Sequence, residues 1–287
     1  MPAFPFFLVD AFTHRPLAGN ACAVVLDADA LDDATMLAIA RETNQAETAF
    51  VRRSATADFG VRFWTPAEEI PMAGHPTLAT VAALADAGRL EGRAALTLEM
   101  RVGPVRVEIE GGTVVMTQPA PRFLDTHPAE VLRVFGLEAE DALPGVPLQT
   151  VSTGTPMLMV PLRSLDALRR ARMDVPAYDA LRARAGFFSP HLFCLEGATP
   201  AGRTFARQLG SPPDLPEDPF TGSATGAMGA YLWRHGLIDS PRFTAEQGHW
   251  MGRPGSAAVE VLGPRGAITG VRVGGGAVVV VRGELAI

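Results

Sequence analysis

The sequence predicts an α+β protein of two pseudo-symmetric halves, each a sheet wrapped around one central apolar helix. Three observations predict it. A glycine turn that opens a small-residue helix occurs twice, as Ala73-Gly74-His75-Pro76-Thr77 and as Thr221-Gly222-Ser223-Ala224-Thr225. Other phrases recur in the same order: Gly19-Asn20 before Val24-Val25 and Gly154-Thr155 before Met159-Val160, Ala49-Phe50 and Leu192-Phe193, Val105-Arg106-Val107 and Val271-Arg272-Val273. Finally, β-type runs surround a single long apolar helix in each half.

The offset between copies rises from 135 (154 − 19) through 143 (193 − 50) and 148 (222 − 74) to 166 (271 − 105). Order is kept while loops lengthen, as in a duplicated domain. Solenoid repeats instead return every 20–50 residues or so. The boundary is placed at Pro119–Pro121, giving halves 1–120 and 121–287, with the last strand free to pack back on the first half.

Phe6 to Phe12 reads as a strand closing at Thr13-His14-Arg15-Pro16, and Ala21 to Leu26 as a second. Asp32-Asp33 opens a helix over 34–43, the acids suiting its positive end. Strands are expected at 47–52 and 59–65. The first glycine phrase starts a helix near Pro76 that Gly88 stops. Runs at 95–101, 105–110 and 113–118 alternate, with Gly111-Gly112 a hairpin turn. A helix near 128–135 precedes the loop Pro144-Gly145-Val146-Pro147. Strands follow at 148–152 and 157–161, then helices near 165–172 and 178–185. The second glycine helix runs from about Ser223 to His235, and the chain ends in strands at 243–247, 257–262, 270–273 and 277–282. A helix enclosed by its sheet must be apolar on every face, and both Leu78–Leu84 and Gly226–Leu232 meet that test.

With 287 residues, 47% hydrophobic and 20% charged, the chain suits two soluble globular domains. A net charge of −6 lacks the basic stripe that nucleic acid requires. No apolar run reaches the roughly 18 residues of a membrane helix. The opening Met1–Phe7 has no basic segment, which argues against a secretory signal. Cys22 and Cys194 are the only cysteines, fitting a reducing cytoplasm better than a disulfide framework. All 25 basic residues are arginine. Schiff-base pyridoxal chemistry and a Gly-x-x-x-x-Gly-Lys phosphate loop both need lysine and are excluded.

The two glycine turns put backbone N–H groups at helix starts, each a place for an anion; facing one another across a cleft, they would hold an acidic substrate. Asp218, in Glu217-Asp218-Pro219-Phe220-Thr221-Gly222-Ser223, either merely begins a turn before proline or orients a substrate and relays a proton. Glu47, where a helix hands over to a strand, is either a solvated loop carboxylate or a partly desolvated base. His75 is a cap and packing residue or a catalytic one. His14, His127, His191, His235 and His249 show no paired metal spacing, and no metal site is expected.

Together these phrases resemble the PhzF family of phenazine-biosynthesis isomerases, within the diaminopimelate epimerase and proline racemase fold group. The resemblance spans the chain and rests on Val9-Asp10-Ala11-Phe12-Thr13, Gly19-Asn20, Glu47-Thr48-Ala49-Phe50-Val51, Ala73-Gly74-His75-Pro76-Thr77, Asp218–Ala224 and Gln247-Gly248. It implies two diaminopimelate epimerase-like domains, a cofactor-free site in the interdomain cleft, a small carboxylate as substrate and a homodimer. It further implies that Glu47 shifts a proton between carbons of a dihydro-hydroxyanthranilate-like acid, a 1,3-type isomerisation. His75, Asp218 and Ser223 match the family's supporting polar residues. The amides of Gly74, His75, Gly222 and Ser223, beside Thr221, match its carboxylate cradle.

Fold relatives that epimerise amino acids carry one thiol before each glycine, where this chain has Ala73 and Thr221. A two-thiol racemase is therefore not expected. The alternatives are an epimerase or dehydratase using one carboxylate with Thr221, or a metabolite-binding homologue with idle catalytic residues. Ala21 stands where the family commonly has proline after Gly-Asn, with a local effect on the turn. The resemblance assigns no role to His249, Trp250 and Met251 and does not name the substrate.

Overall fold

The computed structural model describes residues 2–212 and 215–287. The chain divides into two compact units, Met1–Met116 with Gly274–Ile287, and Thr117–Val273.

In the first unit Ala3–Ala11 pairs antiparallel with Ala277–Ala286 and with Asn20–Val25. Asn20–Val25 runs parallel to Thr48–Arg52, which is antiparallel to Phe59–Trp64. Phe59–Trp64 takes the two-residue strand Glu69–Ile70 antiparallel and Ala95–Met100 parallel. Hairpins then add Gly103–Glu110 and Thr113–Gln118.

The second unit repeats that pairing plan. Leu148–Ser152 is antiparallel to Pro156–Pro161, which is parallel to Ser189–Cys194. Ser189–Cys194 is antiparallel to Thr204–Leu209. Thr204–Leu209 takes Glu217–Asp218 antiparallel and Arg242–Gln247 parallel, and Gly255–Leu262 closes the series antiparallel. Apolar alternation along these strands, as in Gly255–Leu262 with its strict in-and-out burial, gives each sheet one face for its helix.

The two glycine helices are Gly74–Asp86 and Gly222–Arg234, 13 residues each. His75 to Val81, Ala83 and Leu84 are buried in the first, and Ala224 to Leu232 without a break in the second. Such burial leaves no solvated stripe, as the composition predicts. Buried threonines within them return their hydroxyls to the preceding turn: Thr77 to Ala73 O at 2.7 Å, Thr80 to Pro76 O at 2.8 Å, Thr225 to Thr221 O at 2.9 Å. Each therefore satisfies its own oxygen without a partner elsewhere.

Several expected elements differ. The segment near residue 128 forms a 3-10 helix over Ala129–Phe135, too tight for a regular α-helix. Both glycine helices start at the glycine itself, one or two residues earlier than the proline and serine cues suggest. Arg122–His127, Ser189–Cys194 and Thr204–Leu209 are strands outside the expected set of runs. Phe12 falls outside its expected strand: at φ 59° and 1% exposed, it turns the chain out of the sheet while filling the core.

Candidate functional site

Glu47 stands directly before the strand Thr48–Arg52 and keeps 21% of its side chain exposed. The neighbouring strand begins at Asn20, whose position depends on Gly19. That glycine has φ +58°, and a Cβ there would lie 2.1 Å from the Ala11 carbonyl oxygen. Only glycine allows so close a return of the backbone. Asn20 is 2% exposed, and its side-chain nitrogen lies 3.0 Å from Nδ1 of His75.

His75, the second residue of the first glycine helix, is 5% exposed, and its Nε2 lies 3.1 Å from Oε2 of Glu47. Burial holds the imidazole down to about 3, against a hydrogen bond with the Ala21 backbone that favours protonation. At neutral pH the ring is uncharged, so its contact with Glu47 joins a neutral imidazole to a carboxyl rather than two opposite charges. Buried Asn20 and His75 and partly exposed Glu47 thus form one polar line inside the first unit. Cys22, wholly buried, belongs to the same neighbourhood: burial first, then the nearby charge of Glu47, pushes its thiol up.

The second unit builds its polar set on the approach to Gly222. Asp218 ends the short strand Glu217–Asp218, in register with Gln208. The Thr221 hydroxyl donates to Asp218 Oδ2 over a very short contact. Threonine at the residue before a helix ordinarily spends its oxygen capping the first turn. Here no side-chain cap is made at Thr221, nor at Ala73 in the first unit. The N–H groups of both first turns are therefore not consumed by their own cap residues, which suits a bound carboxylate. Ser223 is half-buried in that first turn.

Two glutamines that the sequence did not single out for chemistry hold this approach. Gln247, 1% exposed, accepts from the Thr221 backbone N–H at 3.2 Å and donates to the Asp218 carbonyl at 2.7 Å. Gln118 donates to the Gly222 carbonyl at 2.9 Å and accepts from the Thr153 hydroxyl at 2.5 Å. A Cβ on Gly226 would lie 2.0 Å from Gln118 Oε1. The glycine inside the helix, otherwise a poor helix former, makes room for that side chain. That was the available signal.

Within the first unit the structure brings together Glu47, His75 and Gly74. Within the second it brings together Asp218, Thr221, Gly222 and Ser223. His249 and Trp250 lie in the 3-10 turn His249–Met251. Trp250 packs edge-on to Phe205 with centroids 4.5 Å apart and under the Arg169 guanidinium at 4.7 Å. Cys22 and Cys194 are free, buried and outside both helix starts, and burial pushes the Cys194 thiol up to about 11. Neither thiol is placed before a glycine as two-thiol racemisation requires. Among the described residues no three His, Cys, Asp or Glu side chains gather to hold a metal ion, and no helix is long and apolar enough to cross a membrane.

The family model of phenazine biosynthesis-like proteins, PhzC–PhzF, matches residues 9–283. A trans-2,3-dihydro-3-hydroxyanthranilate isomerase from Pseudomonas fluorescens is 34% identical over 289 residues, covering 98% of both chains. The crystal structure of a PhzF-family phenazine biosynthesis protein from Bacillus anthracis superposes with a TM-score of 0.90 at 31% identity, covering 100% of both chains. A hydroxyproline epimerase from Agrobacterium vitis, 14% identical over 99% of this chain and 93% of its own, shares the fold alone at a TM-score of 0.68.

Proposed function

Because the chain belongs to the PhzC–PhzF family of phenazine biosynthesis-like proteins, we propose that it carries out a cofactor-independent 1,3-type proton shift on a small carboxylic acid. The protein is an isomerase of that family; the substrate class is the proposal, a dihydro-hydroxyanthranilate-like acid. The observation that carries it is the Glu47–His75 contact of 3.1 Å at the first glycine helix, with Asn20 behind the imidazole.

Glu47 keeps enough exposure to reach a substrate carbon and enough cover to exchange its proton under control. It removes a proton from one carbon of the conjugated system and returns it at another. His75, neutral at working pH, faces the carboxyl at 3.1 Å. The amides of Gly74 and His75, and those of Gly222 and Ser223, serve as donors for the substrate carboxylate and for charge that builds up during transfer, each such donor typically worth a few kcal/mol. Asp218, steadied by Thr221, serves the same turnover as a polar partner for the substrate's amine or hydroxyl. Two buried free cysteines support a reducing, cytoplasmic setting.

The test uses trans-2,3-dihydro-3-hydroxyanthranilate in deuterium oxide, followed by NMR. Wild type should move the double bond and place deuterium on the newly protonated carbon. Glu47→Gln should keep its thermal melt and lose turnover by roughly 100-fold or more, the usual scale for a positioned acid–base group. A Glu47→Gln enzyme with near-normal rate would remove Glu47 from the mechanism.

A further inference from the structure

Gln247 makes three hydrogen bonds, and its backbone partners fix which way its amide points. The Asp218 carbonyl can only accept, so the nitrogen end faces it at 2.7 Å; the Thr221 N–H can only donate, so the oxygen end faces it at 3.2 Å. The second N–H of the same amide group is then free to reach Thr221 Oγ1, 3.2 Å away. Thr221 Oγ1 in turn contacts Asp218 Oδ2 more closely than an ordinary hydrogen bond. A hydroxyl has one proton. With Gln247 donating into its oxygen, Thr221 has its own proton for Asp218.

We propose that Gln247 is a positioning residue for Asp218: by donating to Thr221 it directs the Thr221 hydroxyl proton onto the Asp218 carboxyl and keeps that oxygen an acceptor. The chain of donors runs one way, from Gln247 through Thr221 to Asp218. Its origin is buried at 1% exposure, beside a turn that only glycine fits. A Cβ on Gly248, φ +81°, would lie 2.5 Å from the Pro219 carbonyl oxygen and 2.4 Å from that of Arg253. The turn therefore locks Gln247 against the segment that carries Asp218. An acceptor held in one orientation suits a substrate amine or hydroxyl, which is a donor. The proposal rests on the reading that Asp218 takes part in turnover.

Gln247→Glu keeps size and shape and still accepts from the Thr221 N–H; ionised it has no proton to give, and protonated it has one where the amide has two, and the nearer Asp218 carbonyl takes it. With trans-2,3-dihydro-3-hydroxyanthranilate as the probe, Gln247→Glu should lower kcat roughly 10- to 100-fold, as for loss of one hydrogen bond to a charged group, with KM within about twofold. Thr221→Val should fall as far, Thr221→Ser should retain most of the rate, and the Glu/Val double variant should be no worse than either single one. Rate losses that multiply, or a Gln247→Glu enzyme at wild-type rate where Asp218→Asn is impaired, would overturn the relay. Crystals of wild type and Gln247→Glu answer independently of any substrate: Thr221 Oγ1 should rotate away from Asp218 in the variant. An unmoved Thr221–Asp218 contact would also overturn it. Should Asp218→Asn prove fully active while that rotation occurs, the assignment of Asp218 to turnover fails and the relay stands.

Discussion

Ile70 and Asp218 occupy the same position in two copies of one design. Each is the second residue of a two-residue strand, in register with Phe63 in one unit and with Gln208 in the other. The residue before each is a glutamate gripped at both oxygens by an arginine, Glu69 by Arg62 at 2.7 and 2.8 Å and Glu217 by Arg207 at 2.9 and 2.7 Å. The same registers set Ser189 opposite Glu47 in the comparison, through Ala49↔Phe63 and His191↔Gln208. The two units share the strand pairing and the ion pair but not the acids. One carboxyl stands at the Glu47 position of the first unit, the other at the Ile70-equivalent position of the second.

Asp218→Asn is isosteric and keeps the Thr221 hydroxyl within reach, so the fold should persist. Turnover should drop roughly 100-fold, the low end of what a positioned ionisable group contributes. Steady-state kinetics beside a thermal melt check this, and an intact melt with an intact rate would leave Asp218 as a turn former only.

Gly19→Ala and Gly88→Ala separate backbone strain from steric collision. Both glycines have positive φ, +58° and +71°. An added methyl at Gly88 meets nothing within 4 Å, whereas at Gly19 it meets the Ala11 carbonyl at 2.1 Å. Gly88→Ala should lose about 1 kcal/mol, the left-handed penalty alone. Gly19→Ala should lose roughly 3 kcal/mol or more, and displace Asn20 from His75. Urea unfolding of the two variants gives the comparison.

The two-unit plan was legible because glycine turns and β-type runs are local signals, and two of the four echoes, Gly19 with Gly154 and Gly74 with Gly222, fall at equivalent places. The other two do not: the registers set Ala49 with His191 rather than Leu192, and Val105–Val107 lies on the counterpart of Gly255–Leu262 while Val271–Val273 lies on the strand after it. Glu47, His75 and Asp218 were readable as candidates from the phrases around them. What escaped was partnership at long range. Asn20 and His75 are 55 residues apart, and Gln118 and Gly222 are 104 apart. Nothing in either phrase says which strand neighbours which, and that neighbourhood alone creates the contact. Thr204–Leu209 escaped for a related reason: Arg207 and Gln208 interrupt its apolar pattern, because their partners Glu217 and His191 lie on adjoining strands. Gly226 was a visible anomaly in a helix, yet its meaning, a berth for Gln118, needed coordinates.

Arg207→Met should destabilise the second unit by roughly 3 kcal/mol. The pair it breaks is largely covered, with side chains 12% and 18% exposed. Removing the arginine strands Glu217 and the Leu168 carbonyl, 3.0 Å from Arg207, and leaves the Ala171 carbonyl with Arg172 as its remaining side-chain donor. A partly buried charge left alone is worse than no pair at all. Arg207→Met with Glu217→Leu should therefore recover part of the loss. Arg53, 89% exposed beside Asp29, is the control, and Arg53→Ala should leave denaturant unfolding nearly unchanged.

Acid weakens the fold through two buried imidazoles. Burial lowers His75 to about 3 and His191 to about 4, against 6.5 for an unhindered imidazole. His191 is wholly buried; its Nδ1 lies 2.8 Å from Gln208 Oε1, a contact that favours protonation, while its Nε2 is buried with no hydrogen-bond partner among the described residues. Between pH 6.5 and 4 the unfolded chain protonates both rings and the folded chain neither. The unfolded state then binds more protons, so stability falls as pH falls, by about 1.4 kcal/mol per pH unit for each ring. Above pH 6.5 both states are neutral and the dependence vanishes; below the folded values it levels off again. His191→Asn, which loses stability at every pH for lack of packing, should nonetheless flatten the slope between pH 6 and 4.5 by about 1.4 kcal/mol per unit. Urea titrations at five pH values read that slope directly, and parallel lines for wild type and His191→Asn would mean that the folded protein already carries His191 protonated.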